Sequence, residues 1–269
     1  MIWNKGIKKR SETRSASEEG IIEFINLDRY SVSPDKGAAR DYIRPEKITL
    51  PEWYKKLPIT AKLYDDAQYE DLTAKRCIPI LDAMTSGYVF VTTVDYYFEY
   101  EEGKEYGSFS GPEDIISQKP ISMHPLTQLS TIKPSPEYID YAYKWGNTWT
   151  VKTPPGYSCM FVHPLNGVEL PFKSLDGVVD TDKYFQPVLF PFLMKNNFTG
   201  TIPAGTPVIQ VIPFKRDNWK MKINNNMNEE LIENYKAERQ LYEGQRYGPN
   251  MEIYGGMYKR DYRVKKKYL

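Results

Sequence analysis

Residues Trp145–Leu165 read WGNTWTVKTPPGYSCMFVHPL. Two runs rich in β-branched and aromatic residues, Trp149 to Thr153 and Tyr157 to Val162, flank Pro154-Pro155-Gly156. Proline presets φ at one turn position and glycine tolerates the positive φ that follows, so the stretch predicts strand, tight turn, strand. Downstream, LDGVVDTDKYFQPVLFPFLM (175–194) and FTGTIPAGTPVIQVIPFKRDNW (198–219) continue in the same manner, with short loops between them. Closely spaced strands with Pro/Gly turns imply a barrel or a sandwich.

Composition agrees. A chain of 269 residues with 41% hydrophobic content can bury a substantial core, as one large β domain or two small ones. Its 20 prolines, 17 glycines, 22 tyrosines and 11 phenylalanines favour strands broken by turns over long helices. Lys and Arg number 36 against 35 Asp and Glu, leaving a net charge of +1. No global field therefore draws in nucleic acid or an acidic membrane, and neither is an expected partner. Cys77 and Cys159 lie far apart in apolar, strand-like runs and read as two buried free thiols rather than a disulfide. The start has no apolar stretch of signal-peptide length, and no window approaches the ~20 apolar residues of a membrane span. A cytoplasmic or cytoplasmically assembled protein is expected.

Residues 1–20 are polar, charged and serine-rich, the composition of an extended N-terminal arm. A β domain is expected over 21–219, opening with a strand at Ile21 to Leu27. Within it, LPEWYKKLP (50–58) reads as a helical turn with Pro51 at an early helical position and Trp53 and Leu57 on one face. Cys77 to Leu81 and Tyr88 to Val94 read as buried β segments around a Thr85-Ser86-Gly87 turn, and Glu101 to Gly111 as a loop or hairpin tip. A helix is expected over 220–244, with an asparagine cap, Leu231, Tyr235 and Tyr242 on one face and Gly244 as its stop. Residues 245–269 form a basic, tyrosine-rich C-terminal arm.

DGVVDTDKYFQP (176–187) concentrates the acids. No phosphate loop or metal cluster stands beside Asp176, Asp180 and Asp182, which read as side chains that bond nearby backbone N–H groups and shape a turn. A divalent cation normally needs more carboxylates than the Asp180–Asp182 pair supplies. His124 and His163 each precede Pro-Leu, so each is expected to end a strand and bond backbone or water. Their metal-binding alternative is a site of His124, His163 and Asp180, which requires three loops to converge. The aromatics Trp145, Trp149, Tyr157, Phe161, Tyr184, Phe185, Phe190 and Phe192 read as core or interface.

The order TPPGY…HPLN…LDGVVDTD…FPF…GTIPAGTPVIQVIPFKR, spanning Thr153 to Trp219 with 145–219 as the best-matched core, resembles an uncharacterised bacterial and phage domain family. That resemblance implies the fold and no activity, while the tyrosine- and lysine-rich arms and the lack of a signal-peptide stretch suggest a phage setting. PPGY, GVVDTDKY and IPAGTPVIQVI in that order are also similar to the motif order of dUTPases and their deaminase relatives. The second resemblance implies Asp180 as the water-orienting base and Tyr184 as the residue stacking under deoxyribose. The pattern departs where Lys183 separates Asp182 from Tyr184, where HPLNG replaces the Arg-Ser-Gly phosphate loop, and in the missing glycine-rich C-terminal lid. Phosphoryl chemistry is chiefly charge positioning, which those donors would supply.

The resulting expectation is a mainly β, Pro/Gly-turned barrel or sandwich with one C-terminal helix and two arms. It acts without catalysis or cofactor as a phage virion or assembly component, in the virion or the host cytoplasm. Its partners are other virion or assembly proteins or copies of itself, gripped through Trp3, Tyr258, Lys259, Arg260, Tyr262 and Tyr268. A dUTPase-like deoxynucleotide hydrolase and a small-ligand or metal-binding β-barrel are the alternatives.

Overall fold

The Pro154–Gly156 turn forms, but it joins strands of two different sheets. A computed structural model describes residues 20–27, 42–100, 108–110, 121–124, 126–129, 136–139, 142–225, 228–246, 259 and 262–268. Before the turn, β10 (Trp149–Lys152) pairs only with β1 (Glu23–Asn26). After it, β11 (Tyr157–Val162) enters a five-stranded antiparallel sheet. That sheet runs β13 (Gly177–Val179), β11, β16 (Pro207–Lys215), β5 (Tyr88–Thr92) and β2 (Ile43–Lys47). A four-stranded sheet runs β12 (Phe172–Ser174), β14 (Phe190–Met194), β9 (Tyr143–Trp145) and β8 (Ile121–Met123). Three strands form a third, β15 (Gly200–Ile202), β6 (Tyr96–Glu99) and β7 (Ser108–Ser110), and β3 (Thr60–Ala61) pairs with β4 (Asp71–Leu72). The protein is mainly β, as the sequence predicts. Among the described residues the strand pairing does not close into a barrel.

One core serves the three larger sheets. Phe90, Phe161 and Val211 come from the first, Trp145, Phe172 and Phe192 from the second, and Tyr96, Phe98 and Ile202 from the third. Trp145 is fully buried, stacked on Phe192 at 4.4 Å between ring centroids and met edge-on by Tyr96 at 5.2 Å and Phe172 at 5.5 Å. Such ring geometries add to the apolar burial because ring edges carry positive and ring faces negative partial charge. Burial also lifts the Tyr96 hydroxyl well above the ordinary tyrosine pKa.

Helices are few. They are α1 (Glu52–Lys56), α2 (Ile78–Met84), α3 (Leu126–Leu129) and α4 (Glu229–Arg246), with a 3₁₀ turn at Ala74–Arg76. The structure corrects the expected β segment at Cys77 to Leu81. Cys77 is instead the residue before α2, and Pro79 sits in the first turn of that helix. Proline has no N–H to give a strand ladder, whereas a helix start loses nothing by its absence. The hydroxyls of Thr85 and Ser86 donate back to the carbonyls of Leu81 (2.8 Å) and Asp82 (2.6 Å), closing the helix before Gly87. Both cysteines are free thiols, Cys159 buried and Cys77 half-buried.

Smaller corrections follow the same logic. Pro51 precedes α1 as its cap with φ −64° and ψ 149°, and Tyr54 is the buried residue of that helix. Ser108–Ser110, within the stretch expected as a loop or hairpin tip, pairs antiparallel with β6, while 101–107 lie outside the described residues. Helix α4 starts at Glu229, where the backbone N–H of Leu231 donates to the Asn228 side chain at 2.9 Å, not at 220. It also continues through Gly244 to Arg246. A single glycine costs a helix only about 1 kcal/mol, which does not by itself stop one. No helix among the described residues is long and apolar enough to cross a membrane.

Two glycines carry the turns. Gly87 has φ +78°, and a Cβ there would stand 1.9 Å from the Val211 carbonyl oxygen of β16; Gly156 has φ +85° with nothing within 4 Å of a Cβ. Gly156→Ala is expected to cost about 1 kcal/mol from left-handed strain alone. Gly87→Ala should cost distinctly more, because β5 and β16 must also part. Chemical denaturation of both variants checks this, equal losses being the contrary result.

Candidate functional site

Arg216 follows β16 and is the residue that Asp180 and Asp182 gather around. Its backbone N–H donates to the Gly156 carbonyl at 2.8 Å, which holds it beside the β10–β11 turn. Its guanidinium Nη1 donates to Asp182 Oδ1 (2.8 Å), the Ser158 hydroxyl (2.9 Å) and the Tyr157 carbonyl (3.0 Å), and lies 3.1 Å from Asp180 Oδ1. Nη2 completes a two-pronged bond to Asp182 Oδ2. Asp182 Oδ2 also accepts the Gly156 N–H at 2.9 Å, and the Ser158 hydroxyl donates to Asp180 Oδ1 at 2.7 Å. The planar guanidinium fork matches carboxylate geometry, which is why an arginine can serve so many acceptors at once.

Behind the clamp, Thr153 and Thr181 share a hydroxyl contact of 2.7 Å, and Thr181 donates to Cys159 Sγ at 3.4 Å. At the far end of β13, Asp176 accepts the His163 backbone N–H at 2.8 Å. Carboxylates thus fasten the three-residue strand β13 to β11 at both ends. The sequence reading holds for Asp176 and Asp182, which bond backbone N–H groups. Asp180 differs, because its partners are the Ser158 hydroxyl and Arg216.

The electrostatics follow. Hydrogen bonding to Arg216 holds Asp182 down at about 2, helped by the Gly156 N–H and the neighbouring positive charges against a desolvation cost. The Asp182 side chain is only 6% exposed, so little water competes for it. Burial pushes the Cys159 thiol up to about 11, with the Thr181 hydroxyl bond pulling the other way, and so keeps it protonated and unreactive at neutral pH. Burial, aided by Lys173 and opposed by Asp176, lowers His163 to about 4, and its Nδ1 accepts the Ser174 N–H at 3.2 Å.

The expected alternatives meet this geometry differently. Tyr184 is half-exposed, and its N–H bonds the Asp180 carbonyl at 2.9 Å in the turn that follows β13. Asp180 and His163 flank opposite ends of β11. Val179 pairs with Cys159, so Asp180 falls beside Ser158, five residues before His163, or roughly 16 Å at ~3.3 Å per strand residue. His124 follows β8, where its N–H donates to Ala142 at 2.8 Å. The triad His124, His163 and Asp180 is not assembled, and among the described residues no group of three His, Cys, Asp or Glu is placed to hold a metal ion.

The C-terminal arm gives a second polar cluster. Arg263 makes a two-pronged bond to Asp82 on α2, its Nε at 3.1 Å, and is only 13% exposed. Tyr268 packs edge-on against Tyr88 of β5 at 6.0 Å. Lys47, Ile48, Pro79, Asp82 and Gly87 line the same cleft as Tyr262 to Tyr268. Of the expected grips, Tyr268 therefore rests on its own chain, while Lys259 and Tyr262 are exposed. Trp3, Tyr258 and Arg260 lie outside the described residues.

Sequence reasoning missed Arg216 and the anchoring role of Arg263. Each meets its acid far along the chain, and no local spacing marks the pairing. No family model matches this chain, and no curated protein or solved structure does either.

His163 generates a pH dependence. A histidine held at about 4 in the fold, against its ordinary 6.5, contributes stability fully above 6.5 that is lost as the pH falls towards 4, since the unfolded chain then binds the proton first. Asp182 adds a second loss below the unfolded carboxylate pKa of ~3.9, running down to about 2. His163→Gln is expected to flatten the stability profile between 6.5 and 4 and leave the lower fall in place. Urea midpoints across that range test it, an unchanged slope being the contrary outcome.

Proposed function

We propose that this chain is a non-catalytic assembly component of a phage particle, joining neighbouring protein subunits, its own copies included, through its C-terminal arm. The virion or the host cytoplasm is its setting under this reading, and the phage setting rests on the composition of the tyrosine- and lysine-rich arms. The observation that supports subunit joining is the seat of the arm: a basic, tyrosine-containing segment lies in a cleft whose acid, Asp82, meets Arg263 in a two-pronged bond. Every copy carries both the cleft and the arm. An element whose seat includes the Arg263–Asp82 ion pair and the Tyr268–Tyr88 ring contact can exchange between protomers, because each contact broken in one copy is remade in the next.

The strongest polar cluster elsewhere supports the non-catalytic part. Asp182 is buried and held ionised by Arg216 and the Gly156 N–H, so that acid acts on the chain itself, while the more exposed Asp180 gives one oxygen to Ser158 and Arg216. A nucleophile or base must instead offer its lone pair to a substrate.

Charge exchange tests the reading. Arg263→Glu and Asp82→Arg copies, each alone, are expected to show a lower average mass than the wild type by light scattering. Mixed together they should regain it, because the glutamate of one arm then meets the arginine of the other cleft. Failure of the mixture to recover mass contradicts the proposal, as does retention of full mass by either variant alone.

A further inference from the structure

The cleft that seats residues 262–268 carries an excess of positive charge. Lys47, Arg263, Lys265, Lys266 and Lys267 line it, and Asp82 is the one acid among its described lining residues. Asp82 is already bonded by Arg263. Among the described residues, four exposed lysines are therefore left along the wall with no carboxylate to offset them. The segment that carries three of them is fixed at both ends, by the Arg263–Asp82 bond and by the edge contact of Tyr268 with Tyr88. Cations held in place beforehand lose less entropy on binding than cations on a free tail.

Size and chemistry narrow what fits. The cleft encloses about 1030 Å³, the volume of a cube roughly 10 Å on a side, which matches the ~10 Å over which charges act at ~0.1 M salt. A ligand inside it meets the field of all four lysines, whatever the near-neutral balance of the whole chain. An ammonium is a compact, rotatable charge that suits single phosphates, whereas a carboxylate is matched by the arginine fork, and the fork here is already filled. Tyr262 lines the same cleft and is half-exposed, leaving ring surface on which a base can stack. A duplex does not enter, since its major groove alone is ~12 Å wide.

We infer that this cleft binds single-stranded nucleic acid, with Lys47 and Lys265 to Lys267 on successive phosphates and Tyr262 stacked on a base. Nucleic acid is not expected from the net charge of +1, which averages over the whole chain and hides the local excess. Phosphate contacts and stacking carry no base code, so the binding tolerates any sequence. It stands apart from arm exchange, because residues 262–268 complete the cleft whether they belong to the same copy or to a neighbour.

The test is fluorescence anisotropy of a labelled oligothymidylate titrated with the full chain over a range of salt concentrations. If all four lysines meet phosphate, log affinity falls with log salt at a slope of about −3, each contact contributing ~0.7. Lys265→Gln, Lys266→Gln and Lys267→Gln together are expected to bring that slope to about −1 and to weaken binding by about tenfold or more. Tyr262→Ala should weaken binding by about tenfold and keep the slope. Lys220→Gln with Lys222→Gln, exposed cations outside the cleft, should change neither. Thermal midpoints should stay at the wild-type value throughout, since all of these side chains are exposed. No binding at low salt overturns the proposal, as does a slope that the triple substitution leaves intact. So does a duplex with oligoadenylate bound as tightly as the single strand, or polyglutamate competing equally well, which would make the ligand an acidic protein segment.

Discussion

One guanidinium decides how this molecule ends its largest sheet. Arg216 gathers Asp182, Asp180, the Ser158 hydroxyl and the Tyr157 carbonyl, and its own N–H is bonded to Gly156. Three stretches of chain that are remote in sequence, 156–158, 180–182 and Arg216 itself, are thereby held at one corner. Asp182 is taken almost entirely out of water, which is tolerable only because a charged partner and a backbone donor replace the lost hydration. Without the clamp, β13 would keep a three-residue ladder to β11, the Thr181 contacts with Thr153 and Cys159, and the Asp176 fastening at its other end. The clamp also sets where residues 217–225 emerge, so a purely structural interaction positions the surface that remains exposed.

The arm is joined to the core by rings. Tyr268 meets Tyr88, Tyr88 meets Phe24 at 5.3 Å, Phe24 meets Phe90 at 5.8 Å, and Phe90 meets Phe190 at 5.1 Å within the buried cluster. Edge-to-face contacts of this kind favour defined orientations. Residues 262–268 are held by the last ring of that series and by the ion pair of Arg263 with Asp82.

How far the sequence speaks depends on the range of each interaction. The TPPGY turn, the strand runs around it and the Asn228 cap are set by residues close in sequence, so composition and spacing suffice. Cys77 to Leu81 misled because a short apolar run fits a buried strand and a buried helix equally, and the position of Pro79 decided between them. Gly244 misled because a weak local preference yields to the rest of the helix. The role of Asp182 was legible as a backbone acceptor. Its arginine was not, since Arg216 approaches only after β16 has paired with β11. The same holds for Arg263 and Asp82, and for the exposure of Trp219, Met221 and Ile223, which becomes evident only once the sheet has ended without them.

The clamp is the interaction to measure. A double-mutant cycle on Asp182→Ala and Arg216→Ala, read by equilibrium unfolding at neutral pH, separates a coupled pair from two independent side chains. If Arg216 and Asp182 act as one unit, each single substitution destabilises the fold and the double variant is no worse than the poorer single. Losses that simply add would show that the acids of 176–182 are not bound up in holding the sheet together, and would return them to consideration as groups that act on something else.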